Sequence, residues 1–428
     1  MKSENLNNIR IFADMLINEK TWDFIRFHAD DDVRKLALQG SKHQDVDLLL
    51  ALQQIAGRQT ARRKLPTWGA TDGLFYPPHL NMEQCSSEQT ARYKASLLKG
   101  GQRYVDLTGG FGVDFFWMSQ GFRERVYVER DEALCTIAEH NFKVLGLDCS
   151  VRCCDTATYL AEMEHADVVF LDPARRDEHG ARTFGIADCT PNLLELLPLL
   201  RIKADTIVVK LSPMLDWRKA IEDIQSPSSF TPHSSPIVSE VHVVSVDNEC
   251  KELLLIVKNQ QRENLRLVCV NNENVFEIVR PARTASPKPT DYKSAPYGLK
   301  MPPSGADDNH YLYEPNASVM KAGCFDALSA NYPVTQVAPN SHLFMSTDEI
   351  SGFPGRAFQI LSVSSMNKKE LKPVLATISQ ANIAVRNFPL TAQQLRQKLK
   401  LKDGGDIYLF ATTTADGAHR LFICRKIG

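Results

Sequence analysis

The sequence has few features of a cysteine-based metal site or a disulfide-linked fold. Its ten cysteines are scattered, no C-x-x-C motif occurs, and only Cys153 and Cys154 are adjacent. This pattern argues against a zinc ribbon and a disulfide framework, so we expect no metal and a reducing, cytoplasmic location. An apolar run at the start of the sequence is also missing, and we therefore expect neither secretion nor insertion into a membrane.

Neither sign of charge is in excess over the whole chain. The 50 Lys and Arg residues balance 51 Asp and Glu residues, and we find no internal repeat or low-complexity segment. A length of 428 residues is large for one domain, so two or three domains are expected. A chain of this size buries enough apolar surface to fold without disulfides or metals.

Residues 103–129 carry the first functional signal, because they predict a strand, a glycine turn, a helix and a second strand. The turn, Thr108-Gly109-Gly110-Phe111-Gly112, has the conformational freedom that lets backbone N–H groups approach a ligand closely. The helix is predicted from about 113 to 120, and the second strand, 125–128, leads to Glu129. Nucleotide-binding parallel α/β sheets place an acidic residue at this position, where its carboxylate accepts hydrogen bonds from the two hydroxyls of a ribose.

Two cofactors fit this order of elements. A nicotinamide fingerprint requires a third glycine in G-x-G-x-x-G, and none follows Gly110 and Gly112 at that spacing. Asp106 lies inside the first strand, four residues before Gly110, where a carboxylate suits a cationic ligand better than a pyrophosphate. A purely structural turn with a surface carboxylate is the alternative that this stretch alone leaves open.

The following segments continue the alternation of a doubly wound sheet. A third strand, 150–154, is followed by Asp155, a position from which such folds often contact adenine. The fourth strand, 166–171, has the apolar run of a strand covered on both faces, and it delivers Asp172-Pro173-Ala174-Arg175 to the sheet's carboxyl edge. A fifth strand, 206–211, precedes two β segments predicted to form an antiparallel hairpin over 238–257.

These features resemble class I S-adenosylmethionine (SAM)-dependent methyltransferases. Asp106-x-x-x-Gly110-x-Gly112-x-Asp114 is similar to their first motif, in which the carboxylate reaches the amino group of the cofactor's methionine, usually through water. The closing hairpin separates that class from dehydrogenases. The resemblance implies an α/β, Rossmann-like fold with a seven-stranded sheet that ends in an antiparallel hairpin.

Asp172-Pro173-Ala174-Arg175 resembles the fourth motif of nucleic-acid methyltransferases, D/N-P-P followed by an aromatic residue. There the side chain and a backbone carbonyl accept hydrogen bonds from the target amino group and align its lone pair with the methyl group, so positioning supplies most of the catalysis. Ala174 and Arg175 depart from the pattern, and the ring that stacks on a flipped base is missing. An arginine occurs there in some RNA methyltransferases and can stack on a base or bind a phosphate.

A carbon-methylating mechanism on a pyrimidine would need a cysteine nucleophile. Cys153 and Cys189 are available, but neither lies in a recognisable motif, and we favour an inert thiol for both. The methylated atom therefore stays open.

Residues 1–98 are predicted to be helical, with apolar residues at helical spacing over 9–17 and 46–55. The basic run 58–64 is interpreted as a solvated helix end rather than a phosphate site. Ser86 or Ser87 is predicted to cap a helix, with Glu88 or Gln89 folding back towards the cap.

The C-terminal part has a different character. Strands are predicted at 265–270 and 275–279, and a linker rich in proline and serine follows over 281–303. Pro315 is predicted to start a helix that Glu314 or Asn316 caps. The last section predicts a compact α+β module. Its elements are strand 357–363, helix 369–380, strand 383–386, helix 391–399 and a hairpin of 406–412 with 420–424.

This last section is strongly basic. Residues 356–428 contain 12 Lys and Arg against 4 Asp and Glu, a formal charge of +8, and since the whole chain carries −1, the remainder carries −9. Such a module is typical of binding to a polyanion, with Arg396, Lys398, Lys400 and Lys402 as the densest cluster. A lysine-rich solvated face is the alternative.

The combination resembles a bacterial group of SAM-dependent methyltransferases with a THUMP-like C-terminal domain. Further matching pieces are Glu83-Gln84-x-Ser86-Ser87-Glu88-x-Thr90-Ala91, Tyr313-Glu314-Pro315-Asn316 and the basic section. The implied domains are a helical N-terminal region (1–98), a SAM-binding domain (99–262), a small β-rich connecting domain (263–350) and a basic THUMP-like α+β domain (351–428).

The resemblance also implies roles for individual residues. The methionine side of the SAM pocket is expected to be shaped by Asp106, Thr108, Gly110, Gly112 and Asp114. Glu129 is expected to hold the ribose hydroxyls and Asp155 to contact adenine. Asp172 and Pro173 are expected to position the acceptor, with Arg175 orienting the substrate.

The expected function is methylation of RNA, with tRNA favoured over rRNA because THUMP domains are associated chiefly with tRNA. Two alternatives stay open. One is a methyltransferase of a protein or small molecule, and the other is a non-catalytic RNA-binding factor that retains the fold.

Overall fold

A computed structural model describes residues 17–38, 45–175, 185–226, 237–258, 264–281 and 310–427. The chain divides into two compact units. The first comprises residues 1–211, 222–238 and 255–261, and the second comprises 212–221, 239–254 and 262–428. Each unit has its own apolar core.

Short helices precede the first strand, as predicted. They are α1 (Glu19–Phe27), α2 (Val33–Ala37), α3 (Leu48–Lys64), α4 (Pro66–Ala70), α5 (His79–Gln84) and α6 (Glu88–Ser96). The predicted helical pattern over 9–17 lies outside the described residues, apart from Ile17. Ser87 caps α6 by accepting a hydrogen bond from Thr90 N at 3.2 Å, which confirms one of the two predicted caps.

The predicted role of Glu88 needs correction. Glu88 does not fold back onto its cap, because its carboxylate accepts hydrogen bonds from Thr67 N (2.8 Å) and Thr67 Oγ1 (2.7 Å). In the basic run at the end of α3, Arg62 and Arg63 are exposed, as a solvated helix end requires, while Lys64 Nζ donates to Met82 O at 2.8 Å.

The main sheet alternates with helices as the doubly wound pattern predicts. Its first section contains β1 (Gly101–Asp106), α7 (Val113–Met118), β2 (Phe122–Glu129), α8 (Glu132–Val144), β3 (Ser150–Cys153), α9 (Thr156–Glu162) and β4 (Ala166–Leu171). After the two-residue strands β5 (Ala174–Arg175) and β6 (Cys189–Thr190) come α10 (Leu193–Lys203), β7 (Ala204–Leu211) and α11 (Trp217–Gln225). Strand β1 pairs in parallel with β2 and β4, and β7 pairs in parallel with β4.

The predicted hairpin is formed by β8 (Ile237–Val246) and β9 (Glu249–Lys258). Its turn residues Asp247 and Asn248 have φ values of 51° and 62°, as a two-residue turn between twisted strands requires. The fold class is confirmed, but β10 (Asn264–Asn271) and β11 (Asn274–Pro281) add two strands to the predicted seven. The strand order is β11-β10-β8-β9-β7-β4-β1-β2-β3, with β10 parallel to β8.

An aromatic core supports the glycine turn from below. Trp68 packs edge-on against Phe111 with ring centroids 4.9 Å apart, and Phe115 contacts both Phe142 (5.0 Å) and Tyr127 (5.5 Å). Because α4 contributes Trp68 and the turn itself contributes Phe111, this part of the helical N-terminal segment belongs to the same core as the turn.

The second unit contains a seven-stranded sheet of order β13-β14-β12-β15-β18-β17-β16. Its elements are β12 (His310–Pro315), α12 (Ala317–Ala322), α13 (Phe325–Asn331), β13 (Thr335–Gln336), β14 (Phe344–Ser346), β15 (Gly355–Ser364), α14 (Lys368–Leu375), β16 (Asn382–Arg386), α15 (Ala392–Leu399), β17 (Ile407–Thr413) and β18 (His419–Ile427). The predicted order of elements over 357–424 is confirmed, although α14 ends five residues early. Phe358 and Phe410 are core residues, with ring centroids 4.8 Å apart.

Asn316 is the predicted cap of α12 and accepts a hydrogen bond from Val319 N at 3.1 Å. Glu314 has a different role. Its buried carboxylate lies between two arginines, with Arg386 donating at 2.7 Å and Arg356 Nε at 3.0 Å. It therefore joins β12, β15 and β16 rather than capping the helix.

The two glycines that flank α7 and α8 offer a matched test of the turn. Both have positive φ, +85° at Gly112 and +70° at Gly146, but a Cβ at Gly112 would lie 2.6 Å from Phe142 Cζ, whereas one at Gly146 would meet nothing within 4 Å. We expect Gly146→Ala to cost about 1 kcal/mol and Gly112→Ala on the order of 3 kcal/mol, because only the latter adds a steric clash to the strained backbone. Chemical denaturation measures both values, and equal costs would contradict the predicted clash.

Candidate active site

One cavity of about 510 Å³ lies at the carboxyl ends of the parallel strands. Eight residues singled out from the sequence line it together: Asp106, Thr108, Gly110, Gly112, Asp114, Glu129, Asp155 and Asp172. Ala174 lines it too. Pro173 is buried and is not part of the cavity wall, and Arg175 lies in β5, paired with Cys189.

Thr108 connects the first motif to the fourth. Its backbone N–H donates to Asp106 Oδ1 at 2.9 Å, and its hydroxyl accepts a hydrogen bond from Asp172 N at 2.6 Å. Residues 64 positions apart in the sequence are therefore held together by one side chain.

Glu129 is fixed at the end of β2 by three backbone N–H groups. Its Oε1 accepts from Arg130 N (2.8 Å) and Asp131 N (2.9 Å), and its Oε2 accepts from Gly110 N (2.9 Å). A carboxylate has about four lone-pair sites, so these bonds orient the group and still leave acceptor capacity for a ligand hydroxyl.

Asp106 is a buried acid, only 1 % exposed. Burial raises its pKa well above the usual range, and the neighbouring Asp114, Asp172 and Glu129 add to this, while the hydrogen bond from Thr108 N opposes it. A carboxyl group in this state is stabilised by an arriving cation.

Asp155 occupies the exposed rim of the cavity. It caps α9 by accepting hydrogen bonds from Ala157 N (2.8 Å) and Thr158 N (3.4 Å). A cap and a ligand contact are compatible, because the capping bonds use Oδ1.

A buried ion cluster lies beside the cavity and was not predicted from the sequence. Asp114 Oδ2 accepts from Ser86 Oγ at 2.7 Å, Lys94 Nζ lies 3.0 Å from Asp114 Oδ1, and Lys210 Nζ lies 3.3 Å from Asp114 Oδ2. The Ser86 hydroxyl also accepts from both lysines, each at 3.1 Å. The available signal was Lys210 itself, a charged residue closing the apolar strand 206–211 at its carboxyl end.

The two lysines decide the charge of Asp114. Burial alone raises the pKa of this carboxyl, but Lys94 and Lys210 outweigh it and hold the pKa at about 2. Asp114 is therefore an ionised structural partner in the cluster, next to an acid, Asp106, whose pKa shifts in the opposite direction.

Asp172 contacts the same cluster. Lys210 Nζ lies 2.5 Å from Asp172 Oδ2, and the Asp172 side chain is 36 % exposed. Burial of the group raises its pKa, and Lys210 opposes the rise. The acid of the fourth motif thus has one oxygen engaged by a lysine.

The two candidate cysteine nucleophiles are not brought to the site. Cys189 is buried and Cys153 is exposed, and neither lines the cavity. Among the described residues no cluster of three or more His, Cys, Asp or Glu side chains could hold a metal ion. No helix in the described ranges is long and apolar enough to span a membrane.

The sheet order, the glycine turn and the acids that end β1, β2 and β4 define a class I methyltransferase fold. Two family models match the second unit. A THUMP domain-like model covers residues 355–426, and a ferredoxin-like domain model covers 311–354. The curated proteins give no match.

A solved structure matches nearly the whole chain. It is that of a Porphyromonas gingivalis W83 protein described as an inferred methyltransferase, with 30 % identity, a TM-score of 0.79, and coverage of 96 % of this chain and 99 % of that one. This chain therefore belongs to the same family, the class I SAM-dependent methyltransferases with a THUMP-like C-terminal domain.

Two further structures match part of the chain. One is a Listeria monocytogenes protein assigned as a class I SAM-dependent methyltransferase. Its structure has 12 % identity to this chain and a TM-score of 0.38, and the match covers 60 % of this chain and 94 % of that one. Streptococcus pneumoniae Sp1610, assigned as a tRNA (m1A22) methyltransferase, has 15 % identity and a TM-score of 0.31, covering 40 % and 70 %. At these scores neither adds to the argument.

The raised pKa of Asp106 predicts a stability that depends on pH. An acid whose pKa is higher in the folded than in the unfolded chain destabilises the fold once the pH exceeds its usual value of 3.8. We expect Asp106→Asn to raise Tm at pH 7 to 8 by a few degrees, and the gain to vanish near pH 4. Thermal unfolding at several pH values measures this. Asp155→Asn, at an exposed carboxylate in the same cavity, should show no such gain, and an Asp106→Asn gain that is constant with pH would contradict the assignment.

Proposed function

We propose that this protein is a SAM-dependent methyltransferase of RNA, with tRNA favoured over rRNA, and that its basic C-terminal domain binds the RNA. The observation that carries the proposal is the cavity in which Asp106, the glycine turn, Glu129, Asp155 and Asp172 meet. The alternatives of a protein or small-molecule substrate, and of a non-catalytic binding factor, are tested below.

The residues present fit SAM. The buried carboxyl of Asp106 gains a counter-charge if it receives the cofactor's amino group, directly or through water. Positive φ at Gly110 and Gly112 shapes the turn, and Gly110 leaves open space where a side chain would project. Glu129 is oriented to accept from the ribose, and Asp155 lies at the rim for the adenine. SAM would supply an activated methyl group on a sulfonium sulfur.

The protein's own contribution to such a reaction is to hold the group to be methylated in line with the methyl group. Asp172 lines the cavity and offers a carboxylate oxygen as hydrogen-bond acceptor. Its backbone N–H is bonded to Thr108, so the acceptor site has a fixed position relative to the glycine turn. We assign Pro173 to shaping the backbone behind Asp172, and Arg175 to orienting the RNA, as its place after the motif implies.

The assignment to RNA rests on the second unit. Its THUMP-like match and its formal +8 charge over 356–428 both favour a polyanion. Lys398, Lys400 and Lys402 are exposed on and after α15, whereas Arg396 is paired with Asp403. These three lysines are the side chains best placed to neutralise phosphates.

Methyl transfer to RNA tests the enzyme and its acceptor together. Total RNA from a strain that lacks this gene, incubated with the protein and labelled SAM, should take up label, whereas RNA from the parent strain should not, because its sites are already methylated. Size fractionation then separates tRNA from rRNA. Asp172→Ala should abolish incorporation of label, while its SAM affinity should stay within about threefold of the wild-type value, because Asp172 acts on the group to be methylated and not on the cofactor. Label on neither RNA, with SAM bound, would favour a non-RNA acceptor or a binding protein.

RNA binding should depend on salt through the exposed lysines. Replacing Lys398, Lys400 and Lys402 by Gln in the full-length protein should weaken tRNA binding and reduce the slope of log K against log salt by about 2 to 3. Titrations at several salt concentrations measure the slope. The control is a triple Gln variant of Lys35, Lys99 and Lys143 in the first unit, which should leave it unchanged. An equal loss in both variants would show that only net charge matters.

A further inference from the structure

Lys210 closes β7 and contacts three acceptors with one ammonium group. Its Nζ lies 2.5 Å from Asp172 Oδ2, 3.3 Å from Asp114 Oδ2 and 3.1 Å from Ser86 Oγ. An ammonium group has three N–H donors, so one lysine can contact several acceptors at once. The side chain is 12 % exposed and lines the cavity, which places a fixed cation next to the acid of the fourth motif.

The contact with Lys210 constrains what Asp172 can do. With Oδ2 engaged by the lysine and the backbone N–H bonded to Thr108, the group is held at two points. Oδ1 is then the carboxylate oxygen that can accept a hydrogen bond from the substrate group to be methylated. A carboxylate oxygen held in this way can align the group to be methylated with the methyl donor. A freely rotating carboxylate would do so less well.

We propose that Lys210 is a positioning residue for methyl transfer, which holds Asp172 in one orientation so that Oδ1 receives the hydrogen bond of the group to be methylated. This inference rests on the proposed function and deepens it, because it adds a residue from β7 to the residues assigned to the reaction.

Lys210 also affects the protonation of Asp172. Partial burial raises the pKa of this carboxyl and Asp114 adds to the rise, whereas Lys210, and to a smaller extent Lys94, lowers it. Without the Lys210 ammonium group the pKa of Asp172 should therefore rise further. A protonated carboxyl no longer presents the same acceptor, and activity should then require a higher pH.

Lys94 provides a matched comparison within the same cluster. Its Nζ contacts Asp114 Oδ1 at 3.0 Å and Ser86 Oγ at 3.1 Å, as Lys210 does with the same two residues. Its side chain is 0 % exposed, however, and it does not line the cavity. Lys94 therefore serves as the buried counter-ion of Asp114. Its loss should lower the stability of the fold more than it disturbs the positioning of the group to be methylated.

The test compares the wild type with Lys210→Met, Lys210→Arg and Lys94→Met. Methyl incorporation into RNA from the deletion strain is measured at saturating SAM across pH 5.5 to 9, together with SAM affinity and Tm. For Lys210→Met we expect a rate loss on the order of 100-fold, SAM affinity within about threefold, and an acid limb of the pH profile moved to higher pH. Lys210→Arg should recover part of the rate, because a guanidinium can keep the contact with Asp172. Lys94→Met should lower Tm with a smaller shift of the acid limb.

Several outcomes would overturn the role of Lys210. A loss of SAM affinity of tenfold or more in Lys210→Met would assign the lysine to the cofactor. An unmoved acid limb, with a rate loss that Lys94→Met reproduces at equal Tm, would make Lys210 structural only. Absence of label with the wild type is a different failure, because it overturns the proposed function itself and the role with it.

Discussion

The first unit depends on a set of buried charges that meet around Asp114. Ser86 and Lys94 come from the segment before β1, Asp114 from α7, and Lys210 from β7, with Asp172 joined through Lys210. Removing one partner of a buried pair costs about 3 to 5 kcal/mol, because a charge is left without compensation. The helical segment and the sheet edge are therefore held in register by charge, in addition to apolar packing.

The aromatic core gives the glycine turn a rigid support. Trp68 packs against Phe111 of the turn, and Phe115 packs against Tyr127 and Phe142 in the same core. Tyr127 OH also donates to Gly110 O at 2.5 Å, so the backbone that faces the cavity is held from behind. The site combines a stiff backbone with acids in contrasting environments, and this allows neighbouring carboxyls to have different protonation states.

Sequence patterns predicted the elements whose signals are local. The glycine turn, the acids after β1, β2 and β4, and the order of the C-terminal elements follow from periodicity and turn residues, and the structure confirms their positions. The ion cluster could not be predicted, because Ser86 and Lys210 are 124 residues apart and each has an ordinary local explanation, a cap and a strand end. The same holds for Glu314, which pairs with arginines from β15 and β16 instead of capping α12.

The buried acid at the end of β1 makes the stability of the folded chain depend on what occupies the cavity. The folded chain carries an unfavourable carboxyl at Asp106, and a cationic ligand that binds only the folded state relieves it and adds stability by mass action. When such a ligand is scarce, a larger fraction of the chain is unfolded and open to proteases. Under the proposed function SAM is this ligand, and its supply would then set how much of the protein stays folded.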